Sequence, residues 1–214
     1  MFRYAIATWR AEFNLAADLS SALEVHQSNH FPFLKVGELP DFLRALDSYA
    51  SSRLVQVATK LLMITGVRTI ELRAALWQEF DLDYAIWEIH TERLRMRRSH
   101  LVQVTTQALD LLNELKIMKG NYRYVFPGRN DPNNPMSEAS INQVIKRIGY
   151  AGRVTGHGFR HTLSTVLHEN AFSTDWIEMK LAHSDKNSIR GTYNLAQAIE
   201  KRRDMIQWYS DLFL

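Results

Sequence analysis

Apolar residues recur with a period of about 3.6 along most of the chain, which predicts amphipathic helices. Between residues 77 and 105 this period gives way to short apolar segments separated by turn signals, which predict two or three antiparallel strands. The predicted helices cover Asp41–Tyr49, Ser51–Thr65, Thr69–Ala75, Thr106–Lys119 and Ser137–Ile148, and lie near residues 158–170, 174–182, 187–193 and 196–211. We therefore predict a mainly α fold with one small antiparallel β-sheet, of the α+β class.

Small residues mark the ends of several predicted helices. Gly66 is predicted to end the helix that starts at Ser51, and Gly120 and Gly149 are predicted to close two later ones. Ser137 is the predicted N-cap of the helix that Gly149 closes. The stretch 127–135, rich in proline and asparagine, is predicted to be a loop.

A segment rich in helix breakers, residues 27–37, divides the chain into two predicted regions. We place a short N-terminal region at residues 1–30 and one larger domain at residues 31–214. In the first region, apolar residues recur at helical spacing with no capping residue ahead of them, as if an upstream domain were missing; they are Phe2, Ile6, Trp9 and Phe13.

The composition excludes several classes of protein. The 26 basic and 23 acidic residues leave a net charge of only +3, so a generally polybasic protein is excluded and any basic site must be local. The absence of cysteine excludes disulfides, a thiol nucleophile and thiolate zinc ligands. No apolar run approaches the roughly 18 residues of a membrane span, and the N-terminus lacks a signal-peptide pattern. We therefore expect a cytoplasmic protein with no membrane partner.

Arg68 is the first candidate for binding a phosphate. It follows the Gly66 break, precedes a short predicted helix, and has Glu71 three residues on. Backbone N–H groups at a helix start favour an anion, so Arg68 could hold one there. An ordinary solvated arginine after a turn explains the same pattern.

A second candidate is a run of arginines on the predicted hairpin. Strand alternation would place Arg93, Arg95 and Arg97 on one face, followed by Arg98 and His100. Such a stripe could contact DNA phosphates. A charged strand edge that prevents unwanted pairing is an equally good interpretation.

A third candidate lies in the last third of the chain. His157 and Arg160 would lie one turn apart at the start of a helix and could converge on one anion, with His183 and Tyr193 following downstream. A zinc site built from His157, His161 and His183 is the alternative. Gly158 disfavours it, because a metalloprotease helix would carry glutamate at that position.

The order of these motifs resembles the catalytic signature of the tyrosine recombinases, closest to the phage-integrase branch of prophages and genomic islands. The matching text is Thr-Gly-Val-Arg68, His157-Gly-Phe-Arg160, Leu-Ala-His183 and Tyr193. The resemblance covers residues 31–214 and implies the fold of that catalytic core. Residues 1–26 resemble the last helix of the family's core-type DNA-binding domain, with Leu15 where proline is common.

The resemblance implies a role for each site residue. Tyr193 would attack a DNA phosphodiester and form a 3′-phosphotyrosyl bond, with His157 as general base. Arg68 and Arg160 would clamp the phosphate oxygens, and His183 would add a hydrogen bond. Exchange of one phosphodiester for another ester needs neither a metal nor a cofactor, and we expect none.

One position departs from the family pattern. Arg95 stands where the family commonly has a hairpin lysine that protonates the leaving 5′-oxygen. A guanidinium with a pKa above about 12 is a poor proton donor compared with an ammonium near 10.4. We therefore expect a slow or impaired enzyme, with Arg95 supplying charge alone.

The implied function is integration or excision of a mobile element by DNA recombination. The implied partners are double-stranded attachment-site DNA, further copies of the chain in a tetramer, and an accessory DNA-bending or excision factor. Two alternatives stay open: a catalytically impaired DNA-binding remnant, and a metal-dependent hydrolase. For the C-terminal helix, packing on its own domain is favoured over docking on a neighbouring protomer.

Overall fold

In the computed structural model, residues 2–10, 12–14, 31–50, 52–90, 99–182 and 195–212 can be described. The chain forms two compact units, residues 1–30 and residues 31–214, and each is described by itself.

The first unit contains one short helix in its described part, α1 (Phe2–Ala7). The predicted continuation through Trp9 and Phe13 is wrong, because Trp9 has a φ of 57° and ends the helix. Its backbone N–H donates to Ile6 at 3.1 Å, and that of Arg10 donates to Ala5 at 2.8 Å. These two bonds form a Schellman-type end, which apolar spacing alone does not reveal.

The second unit contains the remaining described helices. They are α2 (Leu39–Ser48), α3 (Arg53–Thr65), α4 (Thr69–Arg73), α5 (Thr106–Lys119), α6 (Ala139–Ile145), α7 (Gly158–Glu169), α8 (Thr174–Lys180) and α9 (Leu195–Asp211). The predicted helix near 187–193 lies outside the described residues. The mainly α architecture is confirmed.

The central helix α3 ends where the sequence predicts. Gly66 adopts the left-handed conformation with a φ of 61°, and its N–H donates to the Leu62 carbonyl at 3.0 Å. A Cβ at this position would lie 2.9 Å from Cδ1 of Leu163, so glycine also permits the close approach of α7. The turn after α3 therefore brings the Gly66 carbonyl against α7.

One of the predicted caps is wrong. Gly120 does close α5 as its C-cap residue, with a right-handed φ of −63°, and its N–H donates to the Lys116 carbonyl at 2.9 Å. Ser137 does not cap α6, because the helix begins two residues later with Glu138 at the N-cap position and no side-chain cap bond. Gly149 does close this region, with a φ of 88° inside the π-helical turn Lys146–Tyr150.

The small sheet has three antiparallel strands in the order β1 (Phe80–Asp81), β2 (Ile86–Ile89) and β3 (His100–Gln103). Trp87 of β2 pairs with both Phe80 and Val102. The predicted antiparallel sheet is confirmed. Residues 91–98, between β2 and β3, lie outside the described part of the chain.

Two clusters of apolar side chains form the core. The larger cluster surrounds α3 and includes Phe42, Leu62, Trp87, Phe126 and Phe159. The smaller one joins α7, α8 and α9 through Leu163, Val166, Leu167, Ile177, Leu181, Met205, Ile206 and Tyr209. The described part of α9 therefore packs on its own unit, as favoured from the sequence. Within the described ranges, no helix combines the length and the apolar character that crossing a membrane requires.

Candidate active site

The Arg160 side chain is buried at the start of α7, with only 6% of its surface exposed. Its Nη1 donates to the Gly66 carbonyl at 3.0 Å and its Nη2 to the Leu181 carbonyl. These two bonds tie together the ends of α3, α7 and α8 and fix the plane of the guanidinium. Burial, and then nearby Arg68, lower the pKa of Arg160 to about 10, so it remains a cation at neutral pH.

Arg68 lies at the N-cap position of α4, and Glu71 orients it. The buried Glu71 carboxylate accepts the Arg68 backbone N–H at 2.8 Å through Oε2, and Nη1 of Arg68 at 2.7 Å through Oε1. The Arg68 side chain keeps 36% of its surface exposed. One buried carboxylate thus caps the helix and holds a half-exposed arginine in place.

His157 precedes the first residue of α7 and is half-buried. Its ring lies 4.6 Å from the Phe31 ring and 5.6 Å from the His161 ring, centroid to centroid. Burial is the main cause that lowers the pKa of His157, and the neighbouring His161, Arg160 and Arg68 lower it further. The imidazole is therefore neutral at pH 7 and able to accept a proton.

The structure brings Arg68, His157, Arg160 and His100 into one electrostatic neighbourhood. The charges of Arg68 and Arg160 lower the pKa of both histidines. Residues from three separate segments of the chain therefore form one basic site. Such a site can bind an anion, and it contains one neutral base, His157.

His100 lies inside this site rather than on its surface. Only 7% of the residue is exposed, which does not suit the direct DNA contact predicted from the hairpin pattern. Burial, and then Lys180, Arg202, Arg160 and Arg68, lower the pKa of His100 to about 3. His100 is thus a buried, neutral residue at neutral pH.

The low pKa of His100 predicts a loss of stability in acid. Between pH 6.5 and 3 the unfolded chain binds a proton on His100 that the folded chain does not, so stability falls as the pH falls. At pH 5 this amounts to about 2 kcal/mol. Urea unfolding at pH 7 and pH 5 should therefore show a smaller drop for His100→Gln than for the unsubstituted chain. Equal drops for the two proteins would contradict the buried, neutral histidine.

Lys180 is the site residue that sequence reasoning missed. It is the last residue of α8 and is 1% exposed, and its Nζ has no hydrogen-bond partner among the described residues. Burial, and then Arg202 and Arg160, lower the pKa of Lys180 to about 7. A signal was present, because Lys180 is three residues after the buried Ile177 and so falls on the apolar face of its helix.

The other predicted site residues lie outside the described part of the chain. They are His183, Tyr193, Arg93, Arg95, Arg97 and Arg98. The histidine zinc site is likewise only partly described. Among the described residues, no group of three or more histidine, aspartate or glutamate side chains is placed to hold a metal ion.

One protein family matches most of the chain. Residues 32–199 match the phage integrase family, and the chain belongs to it. Prophage integrase IntS of Escherichia coli (strain K12) is 42% identical over 212 residues, covering 99% of this chain and 55% of that protein. The integrase of Shigella phage Sf6 has the same identity and coverage. The chain thus spans about half the length of the curated relatives it matches.

Solved structures of integrases share the fold. A Tn1549 transposon integrase in complex with a circular intermediate DNA has a TM-score of 0.71 and 16% identity, over 86% of this chain and 68% of that one. A λ integrase dimer bound to a COC′ core site has a TM-score of 0.63 and 17% identity, over 95% of this chain and 69% of that one. The predicted integrase catalytic-core fold is confirmed.

Proposed function

We propose that this chain is the catalytic part of a site-specific DNA recombinase that cleaves and rejoins strands through a 3′-phosphotyrosyl intermediate. The observation that carries the proposal is the convergence of Arg68 and Arg160, each held by the fold, beside a neutral His157. Two fixed guanidinium groups suit the non-bridging oxygens of a phosphodiester.

The arginines stabilise the transition state by charge and position. Arg160 uses two of its five N–H donors on the carbonyls of Gly66 and Leu181, which leaves three for a phosphate. Because its carbonyl bonds already orient the group, little reorganisation is needed when charge develops on the phosphate oxygens. Arg68, oriented by Glu71, faces the same anion from the start of α4.

His157 serves as the base for the attacking phenol. Tyrosine has a pKa near 10 and is mostly protonated at pH 7, so it needs a proton acceptor to become a useful nucleophile. The lowered pKa of His157 favours the neutral imidazole, the form that can accept this proton. In the proposed step the Tyr193 oxygen attacks phosphorus and His157 takes the phenolic proton, while His183 adds a hydrogen bond to the phosphate.

The proposed partner is double-stranded DNA carrying an attachment site. The λ integrase dimer is solved on a core site, and XerH recombinase, a further structural match, on its difH substrate. We further propose a tetramer on DNA, an accessory DNA-bending or excision factor, and a cytoplasmic location. Residues 1–30 would belong to the last helix of a core-type DNA-binding domain and its linker, and residues 31–214 to the catalytic domain.

A suicide DNA substrate tests the proposal. A nick near the scissile phosphate lets the short leaving strand diffuse away, so that cleaved enzyme stays attached to DNA. We expect a protein band shifted by covalent DNA under denaturing conditions, and its loss in Tyr193→Phe. If wild type binds DNA without such a band, the DNA-binding remnant is the better interpretation; strand hydrolysis lost with chelator favours the metal-dependent hydrolase.

A further inference from the structure

The burial of Lys180 is unusual for a lysine, because no described residue forms a hydrogen bond with its ammonium group. Its side chain is 1% exposed, and its Nζ makes no hydrogen bond to any described residue. By contrast Lys60, the other buried lysine of the described core, pairs with Asp47 at 2.8 Å. Taking an amine out of water without a partner costs stability, so its retention calls for a function outside packing.

The groups that act on Lys180 by charge belong to the candidate active site. Beyond the effect of burial, Arg202 of α9 and Arg160 of α7 lower the pKa of Lys180, and Lys180 in turn lowers the pKa of His100 of β3. The next residue, Leu181, gives its carbonyl to Arg160 Nη2, so the backbone of Lys180 is tied to the phosphate-clamping guanidinium. Glu178 of the same helix favours the charged form of Arg160 and so raises its pKa. Lys180 therefore lies among cations that are placed to receive an anion.

We propose that Lys180 is a further catalytic residue: binding of the scissile phosphate at Arg160 opens the buried Nζ to the leaving 5′-oxygen, and Nζ then donates its proton to that oxygen. This rests on the proposed recombinase function. It also accounts for arginine at position 95, since a lysine elsewhere in the site can supply the proton that a guanidinium cannot.

The step balances in protons and bonds. The bond between Tyr193 and phosphorus forms as the bond from phosphorus to the 5′-oxygen breaks. The phenolic proton passes to His157, and a proton from Lys180 Nζ completes the 5′-hydroxyl, leaving a neutral amine. In rejoining, that amine takes the proton of the attacking 5′-hydroxyl. An amine whose pKa is about 7 populates both forms at neutral pH, which suits both half-reactions.

The experiment compares two leaving groups in the full chain. One suicide substrate carries the natural 5′-oxygen, and the other carries sulfur in its place. A thiolate leaves without a proton, because a thiol has a pKa near 8.5, far below that of an alcohol. Lys180→Met should slow covalent complex formation by about 10²–10⁴-fold on the oxygen substrate, the usual range for general acid catalysis, and leave the sulfur substrate near the wild-type rate.

Three further variants make the result decisive. Lys180→Arg should behave as Lys180→Met does, because it keeps the charge and lacks a transferable proton. Lys60→Met removes a buried lysine outside the site and should change neither the rate on the oxygen substrate nor the rate on the sulfur substrate. Arg95→Lys should restore a proton donor at the position where the family commonly has lysine, and so reduce the effect of Lys180→Met on the oxygen substrate. Loss of a buried, unpaired cation should also raise the Tm of Lys180→Met by about 2–4 °C.

The two proposals fail in distinguishable ways. If Lys180→Met and Lys180→Arg slow both substrates equally, or slow neither, Lys180 is not the proton donor and only this inference is overturned. If the wild-type protein forms a covalent complex on neither the oxygen substrate nor the sulfur substrate, the recombinase function itself is overturned.

Discussion

Replacing Arg160 with methionine is expected to slow covalent complex formation on a suicide substrate by about 10³-fold or more. Removing one preorganised donor to a developing oxyanion costs about 10²–10³-fold in other enzymes, and Arg160 would offer more than one. The substitution also strands the carbonyls of Gly66 and Leu181, which Arg160 now satisfies in a buried position. We therefore expect a simultaneous loss of stability of about 1–3 kcal/mol for each stranded acceptor.

Arg153→Met is the matched control for that experiment. Arg153 is an exposed arginine whose Nη2 pairs with Glu38 at 2.6 Å, away from the basic site. Its removal should leave the cleavage rate unchanged, since exposed ion pairs contribute little. Cleavage by Arg160→Met within tenfold of the wild-type rate, on a substrate it still binds, would show that Arg160 only shapes the fold.

Replacing Trp87 with alanine is expected to lower the free energy of unfolding by about 3–5 kcal/mol, the usual range for a fully buried tryptophan. Trp87 is 1% exposed and stacks on Phe80 at 4.9 Å, with the ring planes 14° apart. Its indole N–H donates to the buried Glu79 carboxylate at 3.0 Å. The truncation therefore leaves a cavity and removes a hydrogen bond from a buried charge.

The same substitution should also slow DNA cleavage, because it destabilises the small β-sheet. Trp87 anchors β2, the strand that leads directly into the arginine-rich residues 91–98. Urea unfolding measures the stability, and Tyr84→Ala in the exposed turn before β2 serves as the control, with an expected change under about 0.5 kcal/mol. A loss below 1 kcal/mol for Trp87→Ala would mean that the sheet does not depend on this side chain.

Most helices of the fold could be predicted because their apolar period is local. The bounds of α5 agree with the prediction at both ends, and the stop at Gly66 follows from one left-handed glycine. The errors fall where a local rule competes with geometry that the sequence does not show. Trp9 takes a positive φ that tryptophan rarely adopts, and Ser137 resembles a cap but lies one residue before the N-cap position.

Part of the candidate site could also be predicted. Arg68, His157 and Arg160 stand out because charged residues follow glycine breaks at the starts of helices. Lys180 does not stand out, because nothing in the sequence shows that Arg160 and Arg202 act on its charge across the fold. The sequence likewise does not show which segments bury His100, so it predicts a surface contact with DNA there.

The class of fold, the order of the elements and the three residues around which the site is built follow from the sequence. Periodicity and motif spacing, which are properties of short segments, indicate them. The bonds that hold Arg160 on the carbonyls of Gly66 and Leu181, and the burial of Lys180 with no hydrogen-bond partner among the described residues, arise from the packing of distant segments. Burial and pKa depend on which distant segments exclude water from a side chain, and packing alone sets that.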